Sequence, residues 1–108
     1  MELKTIALYE KSENPKLCRK AMQFAEQLML QENIEMTEPQ ILSLLSHISG
    51  MVYRSLNKEE IQPVDRNLFK DISDTSIDMA KQVCELFSDL HEHEKYLLSI
   101  HFESAKIG

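Results

Sequence analysis

The stretch Leu44–Leu56, LLSHISGMVYRSL, decides the fold of this chain and carries the first candidate functional residues. His47 and Arg54 are two helical turns apart within it, so they differ by about 20° in azimuth and by about 10 Å along the axis. They share a face at the edge of the core, where a nucleophilic or phosphate-accepting histidine would be well placed. The helical period of the apolar residues predicts a buried stripe that consists of Ile41, Leu45, Ile48, Val52 and Leu56.

The start of this helix is indicated by the segment Thr37-Glu38-Pro39-Gln40, which has the form of a capping box. We expect Thr37 to be the N-cap and the Gln40 side chain to reach back to its amide. Gly50 lies inside the helix, where glycine costs up to about 1 kcal/mol relative to alanine. Either another backbone or a ligand approaches closely there, or Gly50 is a tolerated surface residue.

The flanking sequence predicts further helices. Residues 1–13 fit no element and are left unassigned, with a dimer contact as one use for them. Ser12 or Asn14 can cap a helix with Pro15 in its first turn, and that helix should end near residues 32–33. After a polar loop over residues 57–65, Asp65 can cap a short helix. The cap of the next helix is Ser73, Asp74 or Ser76.

The last helix, HEHEKYLLSIHFESAK, carries Glu94 and His101 seven positions apart on one face. We expect a break from the preceding helix near residues 88–90, with Asp89 and Glu92 as a capping pair. His101 should be partly buried among apolar neighbours, and it therefore needs a polar partner, either Glu94 or a backbone carbonyl.

Length and composition favour one all-α domain. The 108 residues include 43% hydrophobic residues, only two glycines and three prolines, and no tryptophan. The formal charge of −6, without a cluster of Lys and Arg, argues against nucleic-acid binding and favours a protein partner. Cys18 and Cys84 fit buried free thiols. Without an apolar leader or a membrane-length apolar run, we expect a cytoplasmic location.

The two histidine helices resemble the phosphotransferase-system regulation domain, or PRD. The resemblance rests on H-I-x-x-x-x-x-R from His47 to Arg54, and on E-x-Y-x-x-x-x-H from Glu94 to His101, about fifty residues apart. It extends from residue 15 to residue 106. It implies a five-helix bundle of PRD type, which we place at residues 14–108 as a single domain after the unassigned segment 1–13.

The resemblance also implies a function. Domains of this family, usually dimeric, occur in bacterial antiterminators and activators of sugar genes, where a phosphocarrier protein or a sugar-specific enzyme II component phosphorylates their histidines. It makes His47 and His101 the phosphoacceptors, and Arg54 and Glu94 supporting residues. Arg54 would bind phosphate through its planar fork, and Glu94 would fix a histidine tautomer. The resemblance implies no enzymatic activity and no cofactor.

The sequence departs from the family pattern in three ways. The connection before Glu94 is short and lacks the customary glycine and proline, and Gly50-Met51 stand where the family often has an aromatic and a small residue. One such domain is present without a nucleic-acid-binding module, so output would pass through another protein. Two alternatives stay open: a dimerisation or scaffold module without phosphate chemistry, and a metal site built from His91, Glu92, His93, Glu94 and His101.

Overall fold

The computed structural model describes residues 3–107, and within them it consists of helices joined by loops, without a strand. The prediction of an all-α five-helix bundle is confirmed. Residues 1 and 2 of the unassigned segment 1–13, and residue 108 of the predicted domain 14–108, lie outside the described residues. The helices are α1 (Leu3–Lys11), α2 (Pro15–Gln31), α3 (Glu38–Asn57), α4 (Asp74–Cys84) and α5 (Glu94–Ile107), with a 3-10 turn at Arg66–Phe69.

Capping side chains set most of the helix starts. Asn14 Oδ1 accepts from the Leu17 amide at 3.1 Å, so Asn14, and not Ser12, caps α2. The capping box of α3 is present in full, with Thr37 Oγ1 accepting from the Gln40 amide at 3.3 Å and Gln40 Oε1 accepting from the Thr37 amide at 2.9 Å. Ser73 caps α4. The predicted starts of α2 and α3 are therefore confirmed.

The buried face of α3 differs in part from the predicted stripe. Leu45, Ile48 and Val52 are buried as expected, but Ile41 and Leu56 are 37% and 46% exposed. Both exposed residues lie in the terminal turns of the helix, where fewer neighbours surround a side chain. The middle of α3 instead adds Leu44, Ser49, Met51 and Ser55 to its buried residues.

Residues 3–11, to which the sequence assigned no element, form the helix α1, which packs against α2 and α3. The hydroxyl of Ser49 on α3 donates to the carbonyl of Leu8 at 2.6 Å. No described residue of α1 is fully buried. The helix is thus attached to the bundle by a half-buried face and a long-range hydrogen bond.

The predicted break before the last helix is confirmed, but its predicted cap is wrong. α4 ends at Cys84 and α5 begins at Glu94, while Asp89 adopts a left-handed backbone with φ 57°. His91 Nδ1 accepts from the amide of His93 at 3.0 Å, which fixes the turn before the helix. The Ser55 hydroxyl of α3 donates to the Ser88 carbonyl, which ties this connection to the core.

The two cysteines have no disulfide partner. Cys18 is fully buried and Cys84 is half-buried. Burial raises the pKa of Cys18 to about 11 and that of Cys84 to about 12, so both thiols stay protonated at neutral pH. In the part of the chain that the structure describes, no helix combines the length and the apolar character needed to cross a membrane.

Candidate functional site

The packing of α5 on α3 brings His47 and His101 into direct contact. Nδ1 of His47 lies 3.2 Å from Nε2 of His101, and the two rings meet edge to face with their centroids 4.9 Å apart. A hydrogen bond between two neutral imidazoles needs one proton between the facing nitrogens. The predicted partners of His101, Glu94 or a backbone carbonyl, are therefore wrong, because the interior supplies a second imidazole instead.

Both imidazoles are neutral at physiological pH. Burial, the neighbouring His101 and the charge of Arg54 lower the pKa of His47 from 6.5 to about 4. Burial also lowers the pKa of His101. A neutral imidazole keeps a nitrogen lone pair that can attack phosphorus, so the surroundings of the pair favour nucleophilic histidines.

The second ring nitrogen of His47 has an unusual environment. Nε2 of His47 is fully buried without a hydrogen-bond partner, and it is the one such side-chain nitrogen or oxygen found within residues 3–107. The ring of His101 is half-buried, and its Nδ1 makes no hydrogen bond to this part of the chain. Buried polar atoms are nearly always paired, so an unpaired one calls for an explanation.

Arg54 and Glu94 form a two-pronged ion pair beside the histidines. Arg54 Nε donates to Glu94 Oε2 at 2.7 Å, and Nη2 donates to Oε1 at 2.9 Å. The Glu94 side chain is fully buried, whereas that of Arg54 is 26% exposed. The predicted contact of Glu94 with a histidine is therefore not present. A buried carboxylate needs a fixed cation, and Arg54 meets this need better than a neutral imidazole.

Gly50 explains how the guanidinium reaches this position. A Cβ atom on Gly50 would lie 3.1 Å from Nη1 of Arg54. Helical side chains lean toward the N-terminus, so Arg54 folds back over the residue one turn earlier. The close approach at Gly50 therefore comes from an arginine side chain of the same helix, four positions on, which is neither of the two partners predicted for it.

The third nitrogen of the guanidinium is not used by Glu94. Arg54 lines an open cavity of about 400 Å³ between α1 and α3, together with Gly50, Lys11 and Ser46. Nη1 makes no hydrogen bond with any group in residues 3–107. One edge of the guanidinium is thus committed to the ion pair, and the other is available to an additional acceptor.

His91 and His93, which precede α5, accept hydrogen bonds from backbone amides of the loops. His93 Nδ1 accepts from the amide of Val64 at 3.1 Å, while His91 caps the turn before the helix. Glu94 and His101 are engaged with Arg54 and His47. Consequently the five residues of the metal alternative do not converge, and no group of three or more His, Cys, Asp or Glu side chains in the described part of the chain is arranged to hold an ion.

A polar cluster that the sequence analysis missed holds the far half of α5. Glu103 Oε1 accepts from the hydroxyls of Ser76 at 2.7 Å and Ser73 at 2.8 Å, and Lys106 Nζ lies 3.5 Å from the same oxygen. Hydrogen bonds from Ser76 and Ser73 lower the pKa of Glu103 to about 2. The cluster fixes α5 against the start of α4, and thereby fixes the position of His101.

Comparisons with known proteins show the family and the fold. The family model of the PRD domain matches residues 19–105. A crystal structure at 1.38 Å resolution of a PRD-containing transcription regulator from Lactobacillus casei ATCC 334 superimposes with a TM-score of 0.90 at 31% sequence identity. The match covers 99% of this chain and 96% of that chain. Among curated proteins the comparison found no match.

Proposed function

Because the chain belongs to the PRD domain family and is therefore a regulatory domain, we propose that it is controlled by phosphorylation of His47 and His101. The phosphoryl donor is the phosphocarrier protein or a sugar-specific enzyme II component of the bacterial phosphotransferase system. The output is control of transcription, or of a partner protein, through protein–protein contacts. The domain acts in the cytoplasm as a homodimer, without direct contact to nucleic acid or membrane.

The contact between the two histidines carries the proposal. Two neutral imidazoles 3.2 Å apart at the α3–α5 interface are competent nucleophiles in a position where a modification alters helix packing. A phosphoryl group adds up to two negative charges and three strong acceptors. It cannot fit beside the buried Nε2 of His47, or between the two rings, unless the packing around the pair moves. Phosphorylation is thus converted into a change in the packing of α3 and α5.

Arg54 supplies the counter-charge in this proposal. The chain has a formal charge of −6, which opposes a further anion. Nη1 of Arg54 can donate to a phosphoryl oxygen while Nε and Nη2 stay on Glu94. Glu94 then acts indirectly, because it holds the guanidinium beside His47.

Incubation with the purified phosphocarrier system and phosphoenolpyruvate tests the proposal. We expect the intact mass to rise by one phosphoryl group or two, with the modification lost in acid. His47→Ala and His101→Ala should each lower the incorporation, and the double variant should abolish it. His91→Ala and His93→Ala are matched controls, because these rings lie outside the pair. Unchanged mass of the wild type would refute phosphorylation control.

Exposed apolar residues on α1 favour a second candidate function, a dimerisation or scaffold module that works without phosphate. Leu3 is 84% exposed and Ile6 is 38% exposed, which suits a protein contact. Partner binding separates the candidates. A double variant of His47 and His101 that loses phosphate-dependent binding supports the switch, whereas unchanged binding in both phosphorylation states supports the scaffold.

A further inference from the structure

We propose that Nε2 of His47 is the atom that first accepts the phosphoryl group, and that His101 is a positioning residue that holds His47 in the Nδ1–H tautomer. This inference rests on the proposed function and deepens it, because it assigns the reactive atom and the order of events within the pair.

The tautomer follows from the pattern of hydrogen bonds. If His101 Nε2 carried the shared proton, Nδ1 of His47 would be the acceptor and the proton of His47 would sit on Nε2. That N–H would be fully buried without an acceptor. A buried donor without an acceptor costs about 1–3 kcal/mol, and orphaned buried N–H groups are rarer in proteins than under-satisfied carbonyl oxygens. The proton therefore lies on Nδ1 of His47, which donates to Nε2 of His101.

This arrangement leaves a bare lone pair on Nε2 of His47. The unpaired buried nitrogen is then the nucleophile, whose orientation is set by the hydrogen bond at the opposite side of its ring. Nδ1 of His101 carries the other proton and has no lone pair to offer. His101 thus orients the ring of His47, and His47 is the nucleophile.

The transfer step balances without a net movement of protons. Nε2 of His47 forms a bond to phosphorus as the P–N bond of the donor phosphohistidine breaks. The electron pair of that bond stays on the donor ring, which leaves as a neutral imidazole because its other nitrogen already carries a proton. Positive charge that develops on the His47 ring is stabilised by its Nδ1–H bond to His101, and the transferred phosphoryl group attracts Arg54. Since Nε2 is buried, the donor must displace the side chains that cover it.

Long-range ¹H–¹⁵N NMR of the unmodified full chain near neutral pH reads the tautomer directly. We expect the neutral rings of both His47 and His101 to carry their proton on Nδ1. His101→Gln places an amide oxygen where Nε2 stood and should preserve the His47 tautomer, whereas His101→Leu should shift His47 toward Nε2–H. A His47 ring that is Nε2–H in the wild type would overturn the assignment.

Phosphorylation by the phosphocarrier system, followed over time by ³¹P NMR, locates the first modified atom. We expect it on Nε2 of His47, with the rate preserved in His101→Gln and about tenfold or more lower in His101→Leu. First modification of His101, or equal rates in both variants, overturns this inference but leaves the proposed function standing. Absence of phosphate on both histidines overturns the proposed function and the reactive atom together.

Discussion

At the scale of single residues, the neutral state of His47 links the site to the stability of the domain. A histidine that is buried as a neutral ring must gain a proton before or during acid unfolding. The pKa of His47 falls from 6.5 to about 4 on folding, and burial lowers that of His101 as well. The burial that keeps the His47 ring neutral and nucleophilic therefore lowers the free energy of unfolding at low pH.

We expect the free energy of unfolding to fall as the pH drops from 6.5 to 4. Between these two pH values the unfolded chain binds a proton at His47 that the folded chain does not. The contribution of the neutral ring to the free energy of unfolding is therefore fully present above pH 6.5 and is lost toward pH 4. After allowance for partial exposure, His47 contributes about 2 kcal/mol of this loss. Urea unfolding across this pH range measures it.

The variant His47→Gln should show a flatter pH profile over the same range. The contribution of Glu103 remains in both proteins, because its lowered pKa affects stability only as the pH falls from 4.5 to 2. Equal profiles for wild type and variant would contradict the neutral buried state of His47.

Gly50 offers a second test at this scale. Gly50→Ala should destabilise the domain by about 1 kcal/mol, because crowding of Nη1 of Arg54 outweighs the helix propensity gained. Ser46→Ala, an exposed position one turn earlier, is the matched control and should be neutral or slightly stabilising. A clear stabilisation by Gly50→Ala in thermal unfolding would show that the guanidinium is free to move away.

At the scale of elements, the sequence predicted those helices whose start signals are local. The caps of α2 and α3 lie within three residues of the amides that they satisfy, so they can be recognised without the fold. α1 has no such signal, and its hydrogen bond comes from Ser49, 41 positions beyond Leu8. Its helix depends on tertiary packing, which apolar periodicity over nine residues does not reveal.

Attachment of α1 can be weakened selectively. Ser49→Ala removes the hydroxyl that donates to the Leu8 carbonyl, and we expect a loss of about 1 kcal/mol with faster amide hydrogen exchange in α1. Amide hydrogen exchange in α4 should change only by the small amount that follows from the lower global stability. If protection in α1 were unchanged, packing alone would hold the helix.

The histidine pair and the ion pair also depend on contacts between residues that are far apart in the sequence. The pattern predicted all four residues, yet it combined them incorrectly, because partners 40 and 54 positions apart depend on how α5 docks on α3. Helical geometry predicted that His47 and Arg54 share one face of α3, but it does not determine which of the two contacts Glu94. Burial of that carboxylate decided the pairing.

Disruption of the ion pair should loosen α5. Glu94→Gln leaves the guanidinium without its counter-charge, and we expect a loss of about 3 kcal/mol in urea unfolding. The double variant Arg54→Met with Glu94→Leu should be less destabilised than Glu94→Gln, since it leaves no charge unpaired in the interior. A double variant that loses more stability than Glu94→Gln would mean that the ion pair contributes net stability.

At the scale of the whole molecule, an acidic helical domain holds two neutral imidazoles in contact between its third and fifth helices. The ion pair beside them and the serine cluster of Glu103 fix α5 from both halves. In the proposed phosphorylated state, the added group lies at this interface and attracts Arg54, whose Nη1 makes no hydrogen bond within residues 3–107. The expected consequence is a discrete rearrangement of α3 and α5 rather than a local adjustment.

Tandem mass spectrometry of the phosphorylated domain shows whether this histidine pair receives phosphate. Digestion and separation at neutral or alkaline pH preserve the acid-labile phosphorus–nitrogen bond. We expect phosphohistidine at His47 or His101 and none at His91 or His93, whose Nδ1 atoms are held by backbone amides. Phosphate on His91 or His93 alone, or on no histidine, would contradict this expectation.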